Sequence, residues 1–516
     1  MTTQRAKLPR RAWGVFYGGI AACYLLTASG RVGGMDGLAM FNVTQSLATN
    51  VSMSAEPCTP ASNANHCVQG IDGKHYAAFG LVPSIASVPA YFVGIVSARL
   101  FHLAPQILAE FCVSLNSALL AAAVPVFLAL WLCRIGLSAQ AALWSGLAYA
   151  FATPAWIFSK AFYSEPYFAL GLITCCYFLS DRDGWISLLA AGACFGCALG
   201  SRAYGVILTP VIALYALMLW NSRHANMSRM LRNLLIFGAP IALAVGLIAL
   251  SNQLRFGSIL KTGYHLIFPT TAALFSTPLL EGMTKLLINR EAGTLVFVPW
   301  VAIVPFLWKR FWVRYQAEAI LVLGMSLTNY VFFAKYTAWQ GGWSLGPRML
   351  YAIFPFLILP LAVLWEQKRS TARRIASLLV SLTLLIQCIL IPYPTSRYFT
   401  MQVYNQEHQV HSWWSDNPLL EATAALPELL FGRGYQENDP AHQFLLKFPN
   451  SINQVRADIW LLKAPSMDIP TVVICLSAGL LVLLAVLSLG AVLRSLRTVE
   501  RAHQAARPMR AAEHAT

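Results

Sequence analysis

Apolar stretches about as long as a bilayer is thick recur along the whole chain, and short segments rich in arginine and lysine separate them. A crossing helix needs about 20 residues. The pattern predicts crossings near 12–29, 109–132, 140–158, 166–180, 187–200, 204–220, 235–252, 294–308, 317–334, 350–365, 375–392 and 470–492, the shorter ones packed against neighbours. A further apolar stretch, 79–103, contains Pro83 and Pro89, and charge decides how it counts. Read as a juxtamembrane or re-entrant element, it leaves 21 of the 37 Lys and Arg in short segments on one side, among them Arg134, Arg223, Arg310, Arg373 and the tail from Arg494. Short cytoplasmic loops carry such an excess. The expectation is therefore an all-α polytopic membrane protein of about twelve transmembrane helices, with both termini cytoplasmic.

The same parity divides the chain. Residues 1–392 form a transmembrane catalytic region whose first external loop, 30–108, is long and holds juxtamembrane helices. Residues 393–469 make an external loop or small cap, 470–492 the last transmembrane helix, and 493–516 a basic cytoplasmic tail. With 57% hydrophobic and 11% charged residues over 516 positions, a soluble globular protein is excluded. The net charge of +16 is placed in the cytoplasmic loops, so it does not point to nucleic acid. The first apolar segment lacks a following small-residue cleavage site and reads as a retained helix.

Candidate chemistry gathers on the outer side. Asp36, in Arg31-Val-Gly-Gly-Met-Asp36-Gly-Leu38, is the first carboxylate and follows the first crossing. An ionisable group at membrane depth is a functional candidate, here the catalytic base; the plainer role is capping the helical segment 38–47. Glu165, in Phe162-Tyr-Ser-Glu165-Pro166, reaches the same face at a tight turn and can face Asp36 across a cavity. Paired carboxylates suit a general base with a helper, or oxygen ligation of a divalent metal; Glu165 alone also suits a helix start. Substrate-binding candidates are Lys74, His75 and Tyr76 in the first loop; Arg202, which breaks an apolar stretch; Arg255, Tyr264 and His265; and Trp343 and Arg348. Arg348 offers a fork for phosphate, and Trp343 a sugar platform or a membrane-interface anchor. Nine of the eleven cysteines lie in or beside apolar segments, whereas Cys58 and Cys67 share a polar external loop and are either a disulfide or two free thiols.

The order of these pieces resembles bacterial membrane glycosyltransferases of the GT-C class, relatives of protein O-mannosyltransferases and of the lipid A aminoarabinose transferase. The pieces are Asp36 after the first helix, the 38–47 segment, Gly73-Lys-His-Tyr-Ala-Ala-Phe-Gly80, Tyr-Ser-Glu-Pro, Leu-Arg-Phe-Gly-Ser with Thr-Gly-Tyr, and Gly-Gly-Trp-Ser-Leu-Gly-Pro-Arg. The resemblance runs to about residue 392. It implies a sugar donor on a polyprenyl phosphate, Asp36 as the carboxylate that activates the acceptor, Glu165 as the second acidic position, and Arg202 and Arg348 beside phosphate. It also implies a bacterial inner membrane, an active site facing the periplasm or exterior, and an envelope glycan, glycolipid or protein as acceptor. Gly37 stands where many members have a second acid, and Ala77 and Ala78 where a basic residue is often found, so Lys74 or His75 substitutes or the donor is handled differently.

Without the family, the chemistry reads the same way. A lipid-linked sugar phosphate needs an apolar groove, cations for the leaving phosphate and a base for the acceptor hydroxyl, and no Gly-rich nucleotide loop is present. The competing reading is a flippase or transporter of a polyprenyl-linked glycan. Internal repeats of the kind such transporters show are not visible. A scaffold in envelope assembly is a third.

Overall fold

The computed structural model describes residues 9–56, 58, 66–181, 184–223, 226–268, 270–342, 344–366, 370–410, 416–431, 443–444, 456–463, 472, 474–492 and 494. Among these the chain is almost wholly helical. One sheet appears, an antiparallel hairpin of Cys67–Gln69 and His75–Ala77 with Cys67 opposite Ala77, Val68 opposite Tyr76 and Gln69 opposite His75.

Eight helices among the described residues are long and apolar enough to cross a membrane: Val82–Phe101, Pro105–Arg134, Ala203–Ser222, Met227–Phe256, Gln316–Lys335, Arg348–Trp365, Thr371–Leu390 and Ile474–Val492. Seven coincide with expected crossings. The other expected crossings are helical but shorter or interrupted. They are Arg10–Thr27, Ala139–Phe151 with Ala155–Ser159 beyond a break at Pro154, Ser164–Leu179, Trp185–Ser201, and the broken run Thr294–Phe297, Pro299–Ile303, Val304–Arg314. Short helices survive here because protein surrounds them: nearly every residue of Ser164–Leu179 is buried. Met227–Phe256 and Ile474–Val492 instead leave most of their apolar surface uncovered, as a lipid-facing helix would. The protein is thus a multi-pass membrane protein.

Val82–Phe101, within the 79–103 stretch, is an unbroken helix of spanning length. Pro83 lies in its first turn, where its missing N–H would have no helical partner anyway, and Pro89 is absorbed within the helix. It folds back on Pro105–Arg134, with Gly94 so close to Ala109 that a Cβ there would strike its backbone. Ile85, Val93, Val96 and Leu100 face away from the bundle.

Two features position the face that carries the candidate residues. The start of the first loop is laced to the 160–162 turn, with Ser29 N donating to Lys160 O at 2.8 Å and Phe162 N to Val32 O at 3.1 Å. The described parts of 393–469 are also helical, and Trp460 ties them to the end of the first helix: its N donates to Ala28 O and its Nε1 to Leu25 O, both at 2.8 Å.

Candidate active site

The lacing of 29–32 to 160–162 sets Asp36 and Glu165 on neighbouring turns. Gly33 and Gly34, with φ of 63° and 51°, make the reversal that starts the Gly34–Asn50 helix. Only glycine adopts two such left-handed conformations in succession without strain. Asp36 falls in the first turn of that helix and Glu165 in the first turn of Ser164–Leu179, where the helix dipole favours a carboxylate.

Between them stands Arg348. Its Nη2 reaches Asp36 Oδ2 at 2.5 Å, its Nε donates to Glu165 Oε1, and its Nη1 donates to Gly341 O at 3.4 Å. Arg202, at the end of Trp185–Ser201, donates from Nη2 to the same Glu165 oxygen and from Nε to Ser164 Oγ at 3.0 Å. Tyr163 lies against the Arg348 guanidinium, 5.1 Å from ring centre to Cζ. Four residues singled out in the sequence, spread over more than 300 positions, therefore form one cluster of two carboxylates and two guanidinium groups. Glu165 and Arg348 are buried, 2% and 9% exposed, so the pairs act at low dielectric. Three of the five N–H groups of Arg348 are engaged, and the Nη1 group of Arg202 has no acceptor among the described residues. The cluster can accept a further anion without adding a new cation.

His66 joins the cluster from the first loop. Its Nδ1 lies 2.9 Å from Asp36 Oδ1, and its ring stacks on Phe79 with centroids 5.9 Å apart. The backbone holds it there, because Ala78 N donates to His66 O at 3.0 Å and Cys67, the next residue, is bonded to Cys58 across a Cα separation of 6.4 Å. Burial alone would raise the Asp36 pKa. The Arg348 guanidinium and His66 outweigh it and hold the carboxyl well below the usual range.

The remaining candidates are distributed. Lys74 and His75 are at the exposed tip of the hairpin, with His75 Nδ1 3.3 Å from Glu56 Oε1 and Lys74 Nζ 3.9 Å from Asp72 Oδ2. Tyr76 turns inward, donates to Asp72 Oδ2 at 2.9 Å and packs on Phe256. Arg255 is buried at the end of Met227–Phe256 and, among the described residues, donates to neutral acceptors, Ser251 O at 3.1 Å, Ser251 Oγ at 3.3 Å and Asn252 Oδ1 at 3.2 Å. Its carbonyl accepts from Ile71 N at 3.0 Å, which anchors the hairpin to this helix. Tyr264 reaches the cluster through Phe79, edge to face at 6.2 Å. His265 instead caps its own helix through Thr262, 2.9 Å from Nδ1 to Oγ1. Trp343 lies outside the described residues.

A divalent ion between Asp36 and Glu165 does not fit this arrangement, since the Arg348 guanidinium fills the gap between the two carboxylates. Among the described residues no three His, Cys, Asp or Glu side chains converge elsewhere. A cavity of about 330 Å³ opens on the far side of Tyr163 from Arg348, walled by Gly33, Gly34, Tyr163, the Arg31–Glu110 ion pair, and Lys160, Asp458 and Lys463. His66 was missed in the sequence because a lone histidine in a polar loop carries no signal. Its place next to Cys67 was the one clue.

No protein-family model and no curated protein matches the sequence. Among solved structures the chain is similar to ArnT from Cupriavidus metallidurans bound to undecaprenyl phosphate, at 13% identity and a TM-score of 0.46, over 80% of this chain and 75% of that one. The same protein in the apo state gives 14% identity and a TM-score of 0.47 over the same shares. It is also similar to the archaeal oligosaccharyltransferase AglB from Archaeoglobus fulgidus in complex with an inhibitory peptide and a dolichol-phosphate, at 12% identity and a TM-score of 0.42, over 80% of this chain and 64% of that one. Both proteins are GT-C enzymes.

Proposed function

We propose that this protein is an integral membrane glycosyltransferase that moves a sugar from a polyprenyl-phosphate donor to a hydroxyl of an envelope glycan, glycolipid or protein. In this reading it sits in a bacterial inner membrane with its site facing outward. The observation that carries it is the cluster itself: two guanidinium groups with unengaged N–H donors stand next to a carboxylate and an imidazole, beside apolar helices able to receive a lipid tail.

Arg348 and Arg202 meet the donor phosphate, whose charge grows as the glycosidic C–O bond breaks, and so stabilise the transition state more than the ground state. Glu165 holds the two cations in place. Arg255, buried with neutral partners among the described residues, is a further cation for the phosphate side. Asp36, with the groups bonded to it, handles the acceptor proton. The donor phosphate competes with Asp36 for Arg348, so donor binding also frees the carboxylate.

The test uses purified protein in detergent, where no second compartment exists, with a panel of polyprenyl-phosphate sugars and with envelope glycans and glycolipids as acceptors. Mass analysis should find the sugar leaving the lipid and appearing on an acceptor. A protein that releases no sugar from any donor, yet moves intact donor across vesicle membranes, would overturn the proposal in favour of transport.

A further inference from the structure

The cavity beyond Tyr163 holds a cation that its neighbours do not use up. Lys160 and Lys463, in its wall, are both paired with Asp458. Arg31 is held differently. Its Nε pairs with Glu110 Oε2 at 2.8 Å, Glu110 Oε1 accepts from Gln106 Nε2 at 3.2 Å, and neither Nη group of Arg31 has an acceptor among the described residues. Glu110 is buried, while the Arg31 side chain is 30% exposed. A guanidinium anchored through Nε offers its Nη groups as a fork that matches two oxygens of a phosphate or carboxylate. Ser396, exposed in the same wall, adds a hydroxyl with no partner among the described residues, and Val32, Leu38 and Ile157 add apolar patches against which the C–H face of a sugar can pack. About 330 Å³ is at the lower end of small-molecule sites, about 300–1,000 Å³, and suits a ligand the size of a sugar. The place matters too. Gly33 and Gly34, which lead into the helix of Asp36, form one wall, and Tyr163, whose ring lies 5.1 Å from Arg348 Cζ, forms another. A ligand seated there lies beside the turn that carries Asp36, with the Tyr163 ring between it and Arg348.

We propose that this cavity seats the acceptor, and that it selects one carrying an anionic sugar, a phosphorylated or carboxylated saccharide whose charged group sits on the Arg31 fork. This rests on the transferase reading. It narrows the acceptor from any molecule with a hydroxyl to a glycan or glycolipid with such a sugar. Donor and acceptor then meet different cations: Arg348 and Arg202 take the polyprenyl phosphate, Arg31 takes the acceptor, and Tyr163 stands between the two. Glu110 is a positioning residue, which holds Arg31 by Nε and leaves the Nη edge to the ligand. A serine or threonine on a neutral peptide would leave that fork unmatched, and so would a neutral glycan.

The test uses full-length protein in detergent and three probes of similar size, glucose 6-phosphate, glucuronate and glucose, with equilibrium binding measured in the absence of donor. Wild type should bind the anions and bind glucose at least about 10-fold more weakly. The double variant Arg31→Gln/Glu110→Gln removes the fork without leaving a lone buried carboxylate. It should weaken the anions by about 10–100-fold, the loss of hydrogen bonds to a charged group, while polyprenyl-phosphate binding stays unchanged. Arg31→Lys keeps the charge but not the fork and should fall between the two. In transfer assays the double variant should raise KM for an anionic acceptor by a similar factor with little change in kcat. Binding of only one of the two anions would support the proposal and fix the charged group. Equal binding of glucose and the anions, wild-type anion binding in the double variant, or equal transfer by wild type to an acceptor and its dephosphorylated form would each overturn it and leave the transferase reading standing. Anion binding that depends on Arg31 in a protein that releases sugar from no donor would overturn the transferase reading, and the acceptor role with it, and leave the cavity as a site for anionic sugars.

Discussion

Two buried ion clusters lie a few residues apart, one around Arg348 and one around Lys160, and they use the same charges differently. The Lys160 ammonium donates to Ile391 O at 2.6 Å and Tyr393 O at 3.2 Å and pairs with Asp458 Oδ2 at 2.9 Å. Asp458 Oδ1 accepts from Ser29 Oγ at 2.7 Å and Lys463 Nζ at 2.5 Å. All three N–H groups of Lys160 are filled, two of them by backbone that cannot leave. That cluster fastens the 456–463 segment to the first loop. The Arg348 cluster has spare guanidinium donors and a carboxylate that lies 2.9 Å from an imidazole nitrogen. Charge and burial alone do not separate a fastener from a site; what separates them is whether a group can exchange its partner.

The comparison is broken most strongly at Asp36. Asp36→Asn removes the charge paired with Arg348 and the oxygen able to take the acceptor's proton, and transfer should fall by about 10²–10⁴-fold, measured as sugar leaving polyprenyl phosphate. Donor binding should survive, since the substitution frees Arg348. Undiminished transfer would remove Asp36 from the chemistry. Arg348→Lys is the next step down. It keeps one positive charge but cannot bridge two carboxylates and a phosphate, and a loss of about 10²–10³-fold is expected. Because the cation acts on bound donor as well as on the transition state, KM for donor should rise while kcat falls; a change in KM alone would make Arg348 a binding residue only.

Much of this was legible before any coordinates. Asp36, Glu165, Arg202 and Arg348 stood out because a charge beside a spanning helix is costly without a partner, and the parity of the basic loops put all four on one side. Helix at the expected crossings followed from length and apolarity, seven of them of spanning length among the described residues. The fastener was not legible: Lys160 belongs to a run of polar outer residues, and nothing local points to Asp458 about 300 positions on. His66 was hidden for the same reason. Lys74 and His75 drew attention instead, since a short polar motif reads the same whether its side chains face a substrate or, as here, solvent and Glu56. The 79–103 stretch is a helix despite its two prolines, because in the fold one of them sits where no hydrogen bond is lost.

A smaller effect on transfer is expected from the fastener. Asp458→Asn leaves Lys160 buried with no charged partner there, and breaking such a pair costs about 3–5 kcal/mol. Thermal unfolding should therefore start earlier, while transfer per folded molecule stays within a few-fold of wild type. Lys160 and Lys463 hold the Asp458 carboxyl below the usual range against the opposing effect of burial. The stabilisation it gives is complete above the ordinary carboxylate range and is lost only as acid protonates it. A rate loss as large as that of Asp36→Asn would show that the two clusters are one site.

The smallest effect concerns a third carboxylate, Glu421 in the Pro418–Phe431 helix, and it carries the opposite sign. Burial pushes its pKa up to about 7, against the Tyr393 hydroxyl that donates to Oε1 and the nearby Arg397, while Oε2 has no hydrogen-bond partner among the described residues. A carboxyl raised in the folded state binds its proton more tightly there than in the undocked segment. Docking is therefore strongest below the ordinary glutamate range, weakens as pH rises from about 4.5 to about 7, and levels off beyond, over a span of up to about 3 kcal/mol. Hydrogen exchange of 418–431, corrected for the intrinsic pH dependence, should show less protection at pH 8 than at pH 6, and Glu421→Gln should flatten the difference. Protection that rises with pH would mean that Glu421 is held as an anion by Arg397, as Asp458 is by its lysines. The helix would then be fastened by charge rather than by a buried proton.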